Sequence, residues 1–273
     1  MIHNTYDIDA EGKVAKLITY IRSQAHLASP EPWPLILVIP GGGYLENVQR
    51  EAEPIATAFN AKGFHAAVLN YSTEPEKFPT ALMQVAKAIN FIKENAKEWN
   101  VDPEKIFVTG YSAGGHLAAS IGVFWNRDFL LERTGLTEEQ TKPAGLILAY
   151  PVITSGEYAH RGSIDRVTGY DRENKELLEL VSLEKQVTKD TPPTFIWSTV
   201  EDAVVPVENT LFFVNALQQN KVEYELHIYP KGPHGLALVT EDTVTRDGNV
   251  NWNEIGRLAH WVDDAASFIK LYK

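Results

Sequence analysis

Ser112 stands in 109-TGYSAGGH-116, with Gly110 and Gly114 two residues to either side and Gly115 beyond them. A serine hydroxyl is a weak nucleophile until a base takes its proton and a third group orients that base. On a tight turn from strand into helix the hydroxyl is held exposed, and small neighbours let the two elements pass closely. Both elements are legible here: the apolar run 105-KIFVT-109 reads as the strand, and 113-AGGHLAASIGVFW-125 as the departing helix. Composition alone gives on the order of 0.04 matches to Gly-x-Ser-x-Gly in this chain, so chance is a poor explanation of the pattern.

Three histidines downstream could serve as the base. His227 lies on the polar face of 222-VEYELHIY-229 with Glu223 and Glu225, and reads as a surface residue. His260 falls in mid-helix, where packing or exposure is the default. His234, in 230-PKGPHGL-236, follows a strand directly, and Pro and Gly on both sides shape its loop, so His234 is the expected base. His116, one helical turn after Ser112, reads as a local packing or capping residue. For the orienting acid, Asp165 and Asp171 belong to a long insert and Asp190 precedes a strand. Asp202 follows 194-TFIWST-199 at its carboxyl end, where it can reach His234, with Glu201 the adjacent alternative.

Acyl transfer also needs donors for a developing oxyanion. In 39-IPGGGY-44, consecutive glycines after a buried strand let backbone N–H groups face a cavity. Gly42 and Gly43 are the expected donors, with Ala113, the residue after the nucleophile, as a third. A phosphate-binding loop would carry a trailing Gly-Lys-Ser/Thr, which is missing. Tyr44, next to these glycines, is expected to border the substrate and narrow its pocket. No two histidines have ligand spacing with a helper carboxylate, so neither a metal nor another cofactor is expected.

These groups must be held by a scaffold. Runs at 14–21, 35–39, 65–71, 105–109, 145–150, 194–199 and 222–229 read as strands, and most of the middle ones are apolar throughout, as strands covered on both faces are. Helical patterns lie between them: 79–99 carries an apolar stripe at Leu82, Val85, Ala86, Ile89 and Ile92, and others run over 206–219 and 253–272. Strand alternating with helix predicts a largely parallel sheet, whose sites lie at the carboxyl ends of the strands. The charged insert 152–191 breaks this rhythm and reads either as a solvated excursion or as a cap over the mouth of the sheet.

The chain has 273 residues, no cysteine and a formal net charge of −11. That charge disfavours nucleic acid and anionic lipid as partners. The lack of cysteine excludes disulfides and thiolate chemistry. The N-terminal stretch shows no signal pattern, and 35-LILVI-39 is too short to span a bilayer, so a cytoplasmic location without membrane contact is expected. A homo-oligomer is left open.

Taken together, 39-IPGGGY-44, 110-GYSAGG-115, 201-EDAVVP-206 and 233-PHGL-236 resemble the α/β-hydrolase superfamily. They are most similar to its carboxylesterase and acetylesterase branch, with the acetyl-xylan esterases and feruloyl-esterase-like proteins. Pro40 stands where hormone-sensitive-lipase-like esterases carry a histidine, which moves the match toward acetylesterases. The resemblance implies an α/β fold of a single domain over 1–273. It would be a doubly wound, mostly parallel eight-stranded sheet with helices on both faces and a small cap insertion. It implies hydrolysis of short-chain esters by Ser112, His234 and Asp202, acting on a small-molecule or acetylated-sugar ester. A peptidase related to prolyl oligopeptidases shares such a triad, but usually with a propeller that this chain lacks. A ligand-binding relative without activity would be expected to have lost Ser112 or His234.

Overall fold

The run 35-LILVI-39 buries every side chain, and it does so on two faces. Leu35, Leu37 and Ile39 join one core, while Ile36 and Val38 join another. Leu146 and Leu148 divide from Ile147 and Ala149 in the same way. Side chains alternate across a strand, so an unbroken apolar run needs cover on both sides.

That cover is visible in the computed structural model, which describes residues 1–23, 31–244 and 251–272. Eight strands form one sheet: β1 (Thr5–Ala10), β2 (Lys13–Tyr20), β3 (Trp33–Ile39), β4 (His65–Asn70), β5 (Val101–Tyr111), β6 (Gly145–Ala149), β7 (Thr194–Thr199) and β8 (Tyr224–Tyr229). Their order in space is β1-β2-β4-β3-β5-β6-β7-β8. The β1/β2 and β2/β4 pairings are antiparallel and the rest parallel. The helices begin with α1 (Glu53–Ala61), α2 (Thr80–Glu94), α3 (Ala96–Trp99), α4 (Ala113–Phe124), α5 (Asp128–Thr134) and α6 (Glu138–Thr141). They continue with α7 (Arg161–Val167), α8 (Lys175–Leu180), α9 (Glu208–Gln219), α10 (Trp252–Ile255) and α11 (Trp261–Leu271). Helices α2, α4 and α9 pack on one face of the sheet, α1 and α11 on the other. The fold is thus a mostly parallel α/β sheet covered on both sides, as expected. Among the described residues, no helix is long and apolar enough to cross a membrane.

Three differences from the sequence reading have local causes. Strand β1 was not anticipated, because an edge strand buries only Ile8 and Ala10 and so reads as polar. The 79–99 helix is two helices, α2 and α3, parted at Asn95, whose side-chain amide donates to the Phe91 carbonyl at 2.7 Å. The short helices α5 and α6 lay in a stretch without a clear pattern.

Register carries these elements to one place. Ile39 pairs with Gly110, and Tyr111 with Ala149, so the chain leaving β3 and the chain leaving β6 both flank Ser112. Ala149 pairs with Trp197 and Thr199 with Tyr229, which brings the loops after β7 and β8 alongside.

The close approach of β5 and α4 can be tested at Gly110. A Cβ there would lie 2.2 Å from the Gly114 carbonyl oxygen and 2.6 Å from the Ala118 Cβ. Gly110→Ala is expected to lower unfolding free energy by about 1–3 kcal/mol, as overpacking does. Urea denaturation checks this; an unchanged midpoint would mean that helix and strand have room to part.

Candidate active site

Strand β5 ends at Tyr111 and helix α4 begins at Ala113, so Ser112 alone makes the turn. Its backbone sits at φ 53°, ψ −119°, a left-handed region that costs a non-glycine residue on the order of 1–3 kcal/mol. The surroundings hold it there. The Ser112 N–H donates to the Ala149 carbonyl at 3.1 Å, and its own carbonyl accepts from the N–H groups of His116 and Val152. Gly114 is required for a further reason: a Cβ would lie 2.3 Å from the carbonyl oxygens of both Ile39 and Pro40. The start of α4 is thereby pressed against the end of β3.

His234 reaches Ser112 from the loop after β8. Its Nε2 lies 2.8 Å from the Ser112 Oγ and its Nδ1 2.6 Å from the Asp202 Oδ2. A carboxylate can only accept, so Nδ1 carries the proton and Nε2 is free to accept from the serine hydroxyl. Asp202 is 5% exposed, and its other oxygen accepts from the N–H groups of Val204 and Val205 at 2.9 Å each. Both oxygens are engaged, so the carboxylate cannot swing. Thr199 ties the histidine loop to β7 by donating to the Gly232 carbonyl at 2.6 Å. Glu201 turns away to an exposed ion pair with Lys231, which holds its carboxyl below the usual range. His227 pairs with Glu225 at 2.8 Å, and His260 is exposed. Neither contacts Ser112.

The loop after β3 lies against the serine: a Cβ on Gly41 would be 3.1 Å from the Ser112 Cβ. The Gly41 N–H is engaged by the Glu51 Oε2 at 2.9 Å. Among the described residues, the Gly42 and Gly43 N–H groups have no acceptor within the chain. Both residues take positive φ, 123° and 65°, and the Gly42 carbonyl accepts from Leu45 and Glu46. Ala113 is the first residue of α4, whose leading N–H groups have no intrahelical partner and carry the positive end of the helix dipole.

Tyr44, beside the glycine loop, has a buried partner. It is 3% exposed, its hydroxyl lies 2.8 Å from the His116 Nδ1, and it also lines a small cavity with Phe78, Leu82 and Leu117. His116 Nε2 lies 2.9 Å from the Val181 carbonyl, which can only accept. His116 therefore donates through Nε2 and accepts the Tyr44 proton at Nδ1. Burial pushes its pKa down to about 4 and keeps the ring neutral. The Tyr44 phenol is pushed up by the same cause and stays protonated. The histidine after the serine thus links the glycine loop to the 152–191 segment, in keeping with its reading as a packing residue.

That segment lies over the glycine loop through few residues. Arg166 in α7 ion-pairs with Glu74 at 3.0 Å and donates to the Gly162 carbonyl, and a Cβ on Gly43 would be 3.6 Å from its Nη1 and 3.9 Å from the Ser163 Oγ. His160 Nδ1 lies 2.8 Å from the Ser163 Oγ. Burial lowers the His160 pKa, and His234 nearby lowers it further. Other charges of the segment satisfy each other: Arg172 grips both Asp165 oxygens, and Arg161 donates to the carbonyls of Ser155 and Gly156. His160 was expected among the polar residues of the insert that wall the acyl mouth, whereas Glu51 and Ser163 were missed, since nothing in 49-QREAEP-54 or 160-HRGS-163 marks them as neighbours of the glycine loop. Among the described residues, no three His, Cys, Asp or Glu side chains gather as metal ligands.

The family described as BD-FAE matches residues 23–217. The chain belongs to the BD-FAE family, within the α/β-hydrolase superfamily. Endo-1,4-beta-xylanase B of Butyrivibrio fibrisolvens is 39% identical over 76% of the chain and 33% of its own length. The chain spans less than half the length of the curated relatives it first matches. Among solved structures, an acetyl ester-xyloside bifunctional hydrolase from Caldicellulosiruptor lactoaceticus is 35% identical, with a TM-score of 0.78, covering 94% of this chain and 88% of that one. The carboxylesterase Cest-2923 from Lactobacillus plantarum WCFS1 is 28% identical, with a TM-score of 0.86, covering 99% and 97%. The two solved structures share their scaffold with the BD-FAE chain along nearly its whole length.

The buried neutral imidazoles predict an acid-sensitive fold. His116 and His65 are both fully buried, with pKa values lowered from 6.5 to about 4. The unfolded chain binds more protons than the folded one between those values, so stability is full above pH 6.5 and falls as pH drops toward 4. The loss is roughly 3 kcal/mol per histidine when complete. Thermal unfolding from pH 7 to 4 should show the decline, and His116→Gln should flatten it. Identical slopes for the variant and the parent protein would refute the assignment for His116.

Proposed function

We propose that the chain is a serine carboxylesterase that cleaves short-chain esters, acetyl esters foremost, through an acyl-enzyme. The observation that carries this reading is the hydrogen-bond chain from Asp202 through His234 to Ser112, at 2.6 and 2.8 Å, on a strained and nearly buried serine. Ser112 Oγ attacks the ester carbonyl carbon while His234 Nε2 takes its proton. The tetrahedral intermediate collapses, the C–O bond to the alcohol breaks, and His234 returns the proton to the leaving oxygen. Water, activated by the same imidazole, then releases the acid and frees Ser112. Asp202 keeps the imidazole in the tautomer that both steps need. The N–H groups of Gly42, Gly43 and Ala113 are assigned to the oxyanion. Besides the ester and the attacking water, the proposed steps use groups of the chain.

The substrate class follows from the relatives and from the mouth of the site. One relative of known structure is named for acetyl ester and xyloside hydrolysis. We therefore assign an acetylated sugar or a small acetyl ester as substrate, and treat 1–273 as one domain with 152–191 as its cap. Three polar side chains of that cap, His160, Ser163 and Arg166, stand at or near the glycine loop. A long acyl chain gains about 0.8 kcal/mol per buried CH₂ only where an apolar groove receives it. Here it would have to desolvate polar groups instead.

Three measurements test this. Ser112→Ala should reduce turnover of p-nitrophenyl acetate by up to about 10⁶-fold while the protein stays folded. Asp202→Asn should cost on the order of 10⁴-fold in kcat, whereas Glu201→Gln should stay within about threefold, since Glu201 is committed to Lys231. A larger effect at Glu201 would reassign the acid. Across p-nitrophenyl esters of rising acyl length, kcat/KM should be highest for acetyl and fall toward octanoyl. A steady rise out to eight carbons would mean that the cap shelters an apolar groove, and preferred cleavage of a peptide amide would replace the esterase reading altogether.

A further inference from the structure

Glu51 is acidic, 2% exposed, and takes no part in the proposed triad. Its two oxygens hold two different pieces of the site. Oε2 accepts from the Gly41 N–H at 2.9 Å, at the head of the glycine loop. Oε1 accepts from the Tyr150 hydroxyl at 2.9 Å. The Tyr150 oxygen in turn accepts from the Ala237 N–H at 2.9 Å, three residues beyond His234. The Tyr150 ring stands edge-on to the His234 ring, with centroids 5.0 Å apart and planes at 70°.

Tyr150 is itself fixed. It follows β6 with φ 38°, and its N–H donates to the Trp197 carbonyl at 2.7 Å. Burial, and then the Glu51 charge, hold its phenol well above the ordinary value, so it remains a donor. The neighbouring Arg50 reinforces the same join by donating to the carbonyls of Gly235 and Thr243. One dipeptide, Arg50-Glu51, therefore braces the glycine loop against the histidine loop from behind.

We propose that Glu51, acting through Tyr150, is a positioning residue that sets the Gly42 and Gly43 N–H groups relative to Ser112 and His234. The inference rests on the esterase reading above. Its physical basis is division of labour within one loop. By engaging the Gly41 N–H, Glu51 leaves the next two amides without an internal acceptor. By gripping Tyr150, it ties their orientation to the imidazole that must act in the same step. A buried carboxyl with both oxygens engaged resists rotation, and removing either partner leaves a buried donor unsatisfied. Hydrophobic packing could fill that space but could not orient an N–H.

Glu51→Gln keeps the size of the side chain and an acceptor for Gly41, but its amide nitrogen cannot accept the Tyr150 proton. Tyr150→Phe removes the same link from the other end and leaves Glu51 in place. For each, kcat on p-nitrophenyl acetate is expected to fall about 10-fold or more, with KM within about twofold, because a misaimed donor weakens the transition state rather than the ester ground state. The inhibition constant for a trifluoromethyl ketone, whose hemiketal adduct with the Ser112 Oγ places an oxyanion among the same donors, should rise by the same factor as kcat/KM falls. The double variant should lose about as much as the worse single one, as members of one network do.

Thermal midpoints are measured alongside, and rates are taken per active site titrated with an organophosphate. A merely structural role would lower the midpoint while leaving kcat per titrated site and ketone affinity unchanged, and that result overturns the proposal. Strict additivity of the two changes overturns it also. If the parent protein shows no Ser112-dependent ester turnover, the esterase reading falls instead, and this inference falls with it.

Discussion

A single residue between a strand and a helix is the constraint on which the site depends. With Tyr111 in β5 and Ala113 in α4, Ser112 must absorb the whole reversal of direction, and its positive φ is the result. The strain is affordable only because the neighbours lack side chains. Gly110 lets α4 lie on β5, and Gly114 lets it lie on the end of β3. The second contact matters as much as the first. It presses the helix start, with its unpartnered N–H groups, against the glycine loop, so candidate nucleophile and candidate donors share one rigid seam.

Once that seam exists, the remaining groups are fixed by their second contacts. Asp202 is held by two backbone N–H groups, and His234 lies between a carboxylate and the edge of Tyr150. On the far side of the loop, Tyr44, His116 and Val181 form a chain of two hydrogen bonds into the 152–191 segment. Glu51 and His116 thus brace the glycine loop from opposite sides. They do so by opposite electrostatics: Glu51 offers acceptors to two donors, whereas His116 works only while it is neutral.

Much of this was legible in the sequence, for reasons that can be named. The sheet was readable because fully buried strands are apolar without alternation. Ser112 and Asp202 were readable as candidates because each follows such a strand, and His234 because it follows the half-buried β8, with Gly and Pro marking the turns around Ser112 and His234. What escaped was whatever depends on distance in space rather than along the chain. Glu51 lies 99 residues before Tyr150, and no local pattern couples them. The buried partner of Tyr44 escaped for the same reason. Adjacency to glycines suggested a pocket wall, but its partner is His116, 72 residues away. The β1 strand escaped because an edge strand with two buried side chains has almost no hydrophobic signature.

The 152–191 segment shows why charge in a sequence is a weak guide to charge in a site. Its many ionic groups read, in the sequence, as a charged cap or a solvated excursion. In the fold, Asp165 and Arg172 neutralise each other, Arg161 binds backbone carbonyls, and Tyr170 and Arg166 share the Glu74 carboxylate. Pairing of this kind holds a segment in shape but projects little field beyond it, since each charge lies against its counter-charge. What remains near the glycine loop is His160, Ser163 and the Arg166 guanidinium. Arg166 is anchored at three points, to Glu74 and to the carbonyls of Gly162 and Gly43. Its charge is therefore largely answered, and its planar edge acts as a fixed polar surface rather than a free cation. A mouth built this way does not attract anions strongly. Under the esterase reading proposed above, it would select by shape and hydrogen bonding, which suits a neutral, hydroxyl-rich ester better than a charged or a long apolar one.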